Sequence, residues 1–451
     1  MSPRTRALAG AVATALAVTV GVGGWTSTGG REQAAPSPPT RPPATTRPAP
    51  RPAPPAPCPE EPPPASPAPP ALVAALQGAL GHPGFEGVTV SASLWVDGYG
   101  EVLAAGADVP LPPASVQKVF TAMGVLSLFE PDDALTTTVR TTGPVAGDVL
   151  HGDLVLVGGG DPTLTARGPH SLDALAAQVR QRGVTRVEGS VVADESRYDA
   201  ARAAPGWQDW QQPAYVGPMS ALMVDDNRRR ADPAYLAAPA TGNAEVFRAA
   251  LAAHGITVSG PVTAGTAPPG ASEVASLRSR PVPALVGDML QRSDNETAEL
   301  LAREAGLEAG GAGTTPAGTA ALTAALGPLC VPLTGVADDG SGLSRADRRT
   351  AREWRRLLHA ATSQPWGAAF RDGLPLAGRS GTLAGRFRGT AADGNVRAKT
   401  GTIIGGRALA GYLTTAGGRQ AVFAVVVNGD GWRASLPAID GLVVALAADR
   451  S

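Results

Sequence analysis

Pro112-Pro113-Ala114-Ser115-Val116-Gln117-Lys118-Val119-Phe120-Thr121-Ala122-Met123-Gly124-Val125-Leu126 is the stretch whose reading decides the fold. From Val116 to Phe129 the residues are mostly apolar and helix-permissive. The run is too continuous for a surface helix, so it predicts a buried one opened by Ser115, with Lys118 one turn along. Side chains at i and i+3 share a helix face and meet within hydrogen-bond reach. A serine hydroxyl is a weak nucleophile until a base takes its proton. Burial favours the neutral form of a lysine, and a neutral amine can be that base.

The chain holds only two lysines, Lys118 and Lys399, against 36 arginines. Arginine stays protonated in proteins, whereas lysine is a compact charge whose pKa shifts readily. A chain so biased to arginine that keeps lysine at two places has a use for lysine there. The second one opens Lys399-Thr400-Gly401-Thr402, and Ser293-Asp294-Asn295 lies between the two. Ser-x-x-Lys, Ser-Asp-Asn and Lys-Thr-Gly, in that order, are the set found in class A β-lactamases and penicillin-binding proteins.

Working outward, Val88 to Val96 alternates and is β-rich, Asp97-Gly98-Tyr99-Gly100 turns, and Glu101 to Ala105 returns. This is a hairpin pattern. Strand-like stretches follow at 136–140, 152–157 and 187–194, with an amphipathic helix at 172–182 and a broadly helical stretch from Tyr235 to Leu251. Residues 131–279 therefore read as a mixed α/β insertion. Helices are expected at 282–291, 296–305, 315–326, 350–361 and 436–447, and strands at 396–403, 407–415 and 420–428. The expected class is α/β (α+β). Two early strands and three late ones would close one antiparallel five-stranded sheet flanked by helices, formed by 71–130 with 280–451.

The first 70 residues read differently. Arg4 and Arg6 precede the apolar and small stretch Ala7 to Val22, a pattern for an export signal over 1–24. An uncleaved membrane anchor is the other reading. Either way the rest is expected outside the cytoplasmic membrane, in the cell-wall or periplasm-like space. Residues 25–70 read as a Pro-rich linker, whose low-complexity part from Pro36 to Pro70 would reach roughly 100 Å at about 3.1 Å per residue. A net charge of −1 argues against nucleic acid. Two cysteines in an exported chain, Cys58 and Cys330, allow one disulfide.

The site can be sketched from chemistry. Ser115 is the candidate nucleophile and Lys118 its base. Ser293 can relay a proton to a leaving amine, and Asn295 can hold a substrate amide. Alternation puts Lys399 and Gly401 on one strand face and Thr400 and Thr402 on the other. A bulge near Gly401 would then be needed to bring lysine and hydroxyls to one substrate. Gly401 lets an acyl chain approach closely, and the backbone N–H groups of Ser115 and Thr402 would hold the oxyanion.

Further segments extend the pattern: Gly159-Gly160-Asp161-Pro162-Thr163-Leu164, Pro205-Gly206-Trp207, Asp339-Gly340-Ser341-Gly342-Leu343-Ser344-Arg345, and Leu374-Pro375-Leu376-Ala377-Gly378 followed by Gly381-Thr382-Leu383. With the three motifs they resemble the low-molecular-mass class C penicillin-binding proteins, the D-Ala-D-Ala carboxypeptidase/endopeptidases of peptidase family S13. The resemblance implies the penicillin-recognising serine transferase fold. It also implies cleavage between two D-alanines of a peptidoglycan stem peptide, with β-lactams as covalent inhibitors and no cofactor or metal. Cleavage of D-Ala–diaminopimelate cross-links would be a second mode. Lys399, Thr400 and Thr402 would bind the terminal carboxylate, while Asp161 and Arg345 are candidates for the zwitterionic end of a diaminopimelate side chain. One departure is that Asp232-Pro233 follows Asn227 almost at once, where family members continue through more strands. A reduced inserted region is therefore expected.

Plainer readings cover the rest. The five histidines lack metal-ligand spacing. Arg228-Arg229-Arg230 reads as a solvated loop. Trp207, Trp210 and Tyr215 read as packing residues, and Asp338-Asp339-Gly340-Ser341 as a turn. Asp161 has a plainer reading too, as the cap of a turn before Pro162. Two rival functions are a β-lactamase, for which no convincing Glu-x-x-x-Asn loop is found, and a catalytically silent wall-binding protein.

Overall fold

The computed structural model describes residues 63–229 and 232–451. The expected signal, most of the linker and Cys58 lie outside them. Cys330 is disulfide-bonded. Among the described residues no helix is long and apolar enough to cross a membrane.

Five strands form the main sheet, in the order Arg397–Ile403, Gly406–Thr414, Gln420–Asn428, Thr89–Val96, Gly100–Ala105, every pair antiparallel. The pairing of Thr89–Val96 with Gln420–Asn428 joins the two ends of the folded chain. The strand Gln-Ala-Val-Phe-Ala-Val-Val-Val-Asn is apolar almost throughout because both its faces are covered. Val422, Ala424 and Val426 enter one core with Phe120, Met123, Leu285, Leu301 and Trp354. Phe423, Val425 and Val427 enter the other with Leu72, Leu76, Leu442 and Val443.

Among the described residues, strands within 136–278 pair only with one another. One sheet runs Val262–Ala264, Val191–Asp194, Leu154–Val157, Thr136–Thr141, Ser272–Arg278, with its first two pairings parallel and the others antiparallel. The last of these strands, Ser-Glu-Val-Ala-Ser-Leu-Arg, has too few apolar residues to stand out in the sequence. The expected helix from Tyr235 is corrected: Asp232–Tyr235 is a strand on Arg228–Arg229, and the helix spans Pro239–Ala253. Pro239 supplies the fixed φ that suits a first helical position.

The helix carrying Lys118, Gln117–Leu128, is buried from Gln117 through Leu126. A buried arginine, Arg349, lies over Phe120 of this helix at 4.5 Å and over Trp354 at 5.1 Å. Its charge is met by Glu353, one turn along the same segment and 4% exposed. Burial pulls the Arg349 pKa down and the Glu353 pKa up, against the attraction between them. Removing one partner leaves a buried charge unpaired. Glu353→Ala is therefore expected to cost about 3–5 kcal/mol, read as a lower urea midpoint. A loss below about 1 kcal/mol would show that the pair is solvated and unimportant to this core.

Candidate active site

Ser115 does not open the long helix. It sits in a 3-10 turn, Ala114–Val116, and the α-helix begins at Gln117. Ala114 has φ +49°, a conformation uncommon for a residue with a Cβ. The turn leaves Ser115 half-buried, while Lys118 on the first helical turn is fully buried. Lys118 Nζ lies 3.2 Å from Ser115 Oγ, 2.6 Å from Asn295 Oδ1 and 2.7 Å from the Ser341 carbonyl oxygen. A neutral amine has two hydrogens and one lone pair. Asn295 and Ser341 accept the two hydrogens, and the lone pair then faces the Ser115 hydroxyl. Burial, the largest effect, brings the Lys118 pKa down from 10.5 to about 8, against the attraction of Asp339 and Glu299.

Asn295 is engaged at both ends of its amide, with one Nδ2 hydrogen and one Oδ1 lone pair left over for the expected substrate amide. Its Nδ2 donates to the Tyr215 carbonyl at 2.9 Å while Oδ1 receives Lys118. Ser293 ends the preceding helix in the left-handed region at φ +59°, and Asp294 caps the next one by accepting from Thr297 N. This sharp turn aims Ser293 Oγ at Lys399 Nζ, 2.8 Å away. Lys399 is fully buried and also donates to the Thr400 carbonyl. Burial, and then the nearby Lys118, holds its pKa well below the usual lysine value.

The strand Arg397–Ile403 is an edge of the main sheet, and its ladder to Gly406–Thr414 shows no register shift. The expected bulge near Gly401 is therefore corrected. The role given to Gly401 changes as well. A Cβ there would lie 2.6 Å from the Pro113 carbonyl oxygen and 3.3 Å from the Ala114 Cβ. Gly401 lets the strand close onto the turn that carries Ser115. From the other side Gly342 does the same: at φ +84°, its Cβ would sit 1.9 Å from the Ala114 carbonyl oxygen. Thr400 Oγ1 meets Thr382 Oγ1 at 2.8 Å, and Thr402 is exposed.

Of the two looser candidates, Arg345 is exposed and donates to the Ile404 carbonyl at 2.9 Å, at the end of this strand. Asp161 is corrected: it is 1% exposed, Oδ1 accepts from the Thr163 backbone and hydroxyl, and Oδ2 faces His170 Nε2. It caps its own turn. Trp207 packs and donates to Asp339 Oδ2 at 2.8 Å. The expected packing role fails for Trp210 and Tyr215, which are 41% and 49% exposed. With Leu343, Thr402, Ile404 and Trp432 they line a pocket of about 270 Å³ beside the Lys399 strand.

The segment Asp339 to Arg345 stood out in the sequence, but not the role of the Ser341 carbonyl, because a backbone acceptor has no residue signature. Its loop is held by buried acids. Glu299 Oε1 accepts from Gly340 N and Ser341 N, and Asp339 accepts from the backbone of Ser341, Gly342 and Ser344. Burial, then Asp339, raises the Glu299 pKa to about 8. Among the described residues no group of three or more His, Cys, Asp or Glu could hold a metal ion.

The profile of the D-Ala-D-Ala carboxypeptidase 3 (S13) family matches residues 96–238 and 233–449. The D-alanyl-D-alanine carboxypeptidase of Actinomadura sp. (strain R39) is 34% identical over 75% of this chain and 77% of its own length. Carboxypeptidase DacB of Mycolicibacterium smegmatis is 33% identical over 83% of each chain. The crystal structure of penicillin binding protein 4 (dacB) from Haemophilus influenzae superposes with a TM-score of 0.71 at 22% identity, over 79% of this chain and 93% of that one. That likeness concerns the fold.

Gly401→Ala tests the closure of strand onto turn. The added methyl must push the Ser115 turn away, and a misplacement near 1 Å can cost about 100-fold in rate. Acylation by a chromogenic β-lactam is expected to fall about 10–100-fold with the melting temperature little changed. An unchanged rate would mean that the turn accommodates the methyl and that Gly401 has no positioning role.

Proposed function

The chain belongs to the D-Ala-D-Ala carboxypeptidase 3 (S13) family, and on that premise we propose that it is a serine-type D-Ala-D-Ala carboxypeptidase acting on peptidoglycan stem peptides. The observation that carries the reading is the meeting of the three motifs in two adjoining hydrogen-bonded sets, Ser115 and Asn295 on Lys118 and Ser293 on Lys399, with the two lysines close enough to act on each other. The motifs come from three segments far apart in sequence. Residues 71–130 with 280–451 form the catalytic domain in this reading, and 131–279 an inserted one.

Ser115 Oγ attacks the carbonyl of the penultimate D-Ala and its proton passes to Lys118 Nζ. The backbone N–H groups of Ser115 and Thr402 stabilise the oxyanion. Collapse breaks the peptide bond, and the departing amine of the terminal D-Ala takes a proton through Ser293 Oγ. Water then attacks the ester, with Lys118 again the base, and frees Ser115. The terminal carboxylate of the substrate sits by Lys399 and Thr400. An anion there favours the charged form of Lys399, which burial otherwise opposes. A β-lactam acylates Ser115 in the same way, but its leaving nitrogen stays tethered to the acyl group. Action at the peptidoglycan places the enzyme outside the cytoplasmic membrane, reached through the export signal at 1–24.

Fluorescent penicillin and intact mass measurement test the reading. The parent chain is expected to gain one stable adduct and Ser115→Ala none. No adduct on either, with the penicillin left intact, would sink the acyl-transfer reading. Fast penicillin turnover without a lasting adduct would favour the β-lactamase instead.

The acylation rate should also depend on pH. Only neutral Lys118 can accept the Ser115 proton, and its pKa lies at about 8. The rate is expected to rise about tenfold per pH unit below that value and to level off above it. A rate flat from pH 6 to 9 would exclude Lys118 as the titrating base.

A further inference from the structure

The open edge of the Lys399 strand is stopped at one end. Leu376 bridges Arg397, and Ala398 N donates to the Pro375 carbonyl. The edge is thus occupied by the chain itself up to residue 398, just short of Lys399. A peptide laid along the strand has its C-terminal carboxylate at this closed end, by Lys399. Its upstream part must leave by the other end, past Thr402 and Ile404. From Gly401 to Ile404 is about 10 Å at roughly 3.3 Å per residue.

That exit is apolar and then cationic. Ile404 is 48% exposed and lines the pocket with Trp210, Tyr215 and Trp432. Beyond it, Arg433 lies over the Trp432 ring at 4.7 Å and Arg407 at 5.3 Å. Arg407 is the direct cross-strand partner of Thr402, and its Nε donates to the Trp432 carbonyl. Partial burial first, then the neighbouring Arg386, lowers the Arg407 pKa, while Asp440 acts the other way. Asp440 is already ion-paired with Arg386. Asp430, exposed at the start of the Trp432 turn, is the other acid on this segment. Two guanidinium groups thus lie against the Trp432 ring, close enough to act on each other, beside the pocket that Trp432 helps to line.

We propose that Arg407 and Arg433, stacked on Trp432, form an anion subsite for a carboxylate carried by the donor peptide two to three residues upstream of the scissile bond. The inference rests on the carboxypeptidase reading and names a specificity of that same site. Arginine suits the role, since its planar fork matches a carboxylate and stays charged.

The test uses two synthetic peptides ending in D-Ala-D-Ala. They differ only in whether the residue two positions before the penultimate D-Ala bears a free carboxylate or a carboxamide. Release of D-Ala is followed at low salt, and penicillin titration counts the working sites. The parent enzyme is expected to prefer the acid about fivefold in kcat/KM, the scale of an exposed ion pair, and to lose that preference as salt rises. Arg433→Gln should bring the ratio close to one, whereas Arg433→Lys should keep part of it. Equal kcat/KM on both peptides would overturn the subsite, as would a preference that survives in both Arg433→Gln and Arg407→Gln. No penicillin adduct and no release from either peptide would instead overturn the carboxypeptidase reading and the subsite with it.

Discussion

Everything in this site follows from burying one amine. Lys118 has no exposed surface, and a charged ammonium there would forgo the hydration that water gives it. The protein answers with geometry as well as with charge. Two oxygens, Asn295 Oδ1 at 2.6 Å and the Ser341 carbonyl at 2.7 Å, accept the two hydrogens that a neutral amine retains. The remaining electron pair has one polar neighbour, the hydroxyl of Ser115. The same arrangement tolerates the ammonium, because Asp339 and Glu299 lie behind it and act to keep it charged. Desolvation outweighs these acids, and the balance leaves the group able to titrate near neutral pH.

The second lysine shows the complementary case. Lys399 is equally buried, but its hydrogen-bond partners are Ser293 Oγ and the Thr400 carbonyl, and the nearest other titratable influence is Lys118, a like charge. Burial and Lys118 both push it toward the neutral form. An anion arriving beside it would oppose both effects by attraction to the ammonium. Two lysines of one type thus sit in one cleft with different surroundings. One is backed by acids and faces the hydroxyl of Ser115; the other meets the hydroxyl of Ser293 and a backbone carbonyl, with a like charge for its neighbour.

The parts of this site legible in the sequence are those fixed by side-chain type at short spacing. Ser115 and Lys118, three residues apart, meet whether the turn between them is α-helical or 3-10, so the contact survived a wrong expectation about where the helix begins. The strand alternation of Lys399 and Thr400 was readable, but the bulge invoked at Gly401 was not needed. Gly401 faces the Pro113–Ala114 backbone, a neighbour that no local pattern reveals. Asp161 had the right chemistry for a charged ligand but is spent on Thr163 and His170. The Ser341 carbonyl was out of reach for the opposite reason: any residue type could supply it, and only the loop path decides which one does. The strand Ser272–Arg278 has the same lesson for the fold, since its burial is partial and its apolar residues are few.

One helix links the cleft to the region between the first two motifs. Asn295 begins the helix Asn295–Glu308 and binds Lys118. Along the same helix Glu296 accepts from Gly217 N, the Leu300 carbonyl faces Tyr198 Oη, Arg303 pairs with Asp199, and Glu304 holds Arg197 and Tyr198. Positions 296, 300, 303 and 304 fall on one helical face, spaced by four, three and one. Asn295 Nδ2 itself donates to Tyr215 O, and Trp207 Nε1 to Asp339. The segment from 197 to 217 is therefore bonded both to the end of the helix that touches Lys118 and to the loop that supplies the Ser341 carbonyl. A side chain amide that must hold a lysine hydrogen at 2.6 Å cannot be positioned by its own backbone alone. Its other end has to be tied down, and here it is tied to a carbonyl of residues 131–279. Those residues help to set the geometry of the amine, although among the described ones none is hydrogen-bonded to it.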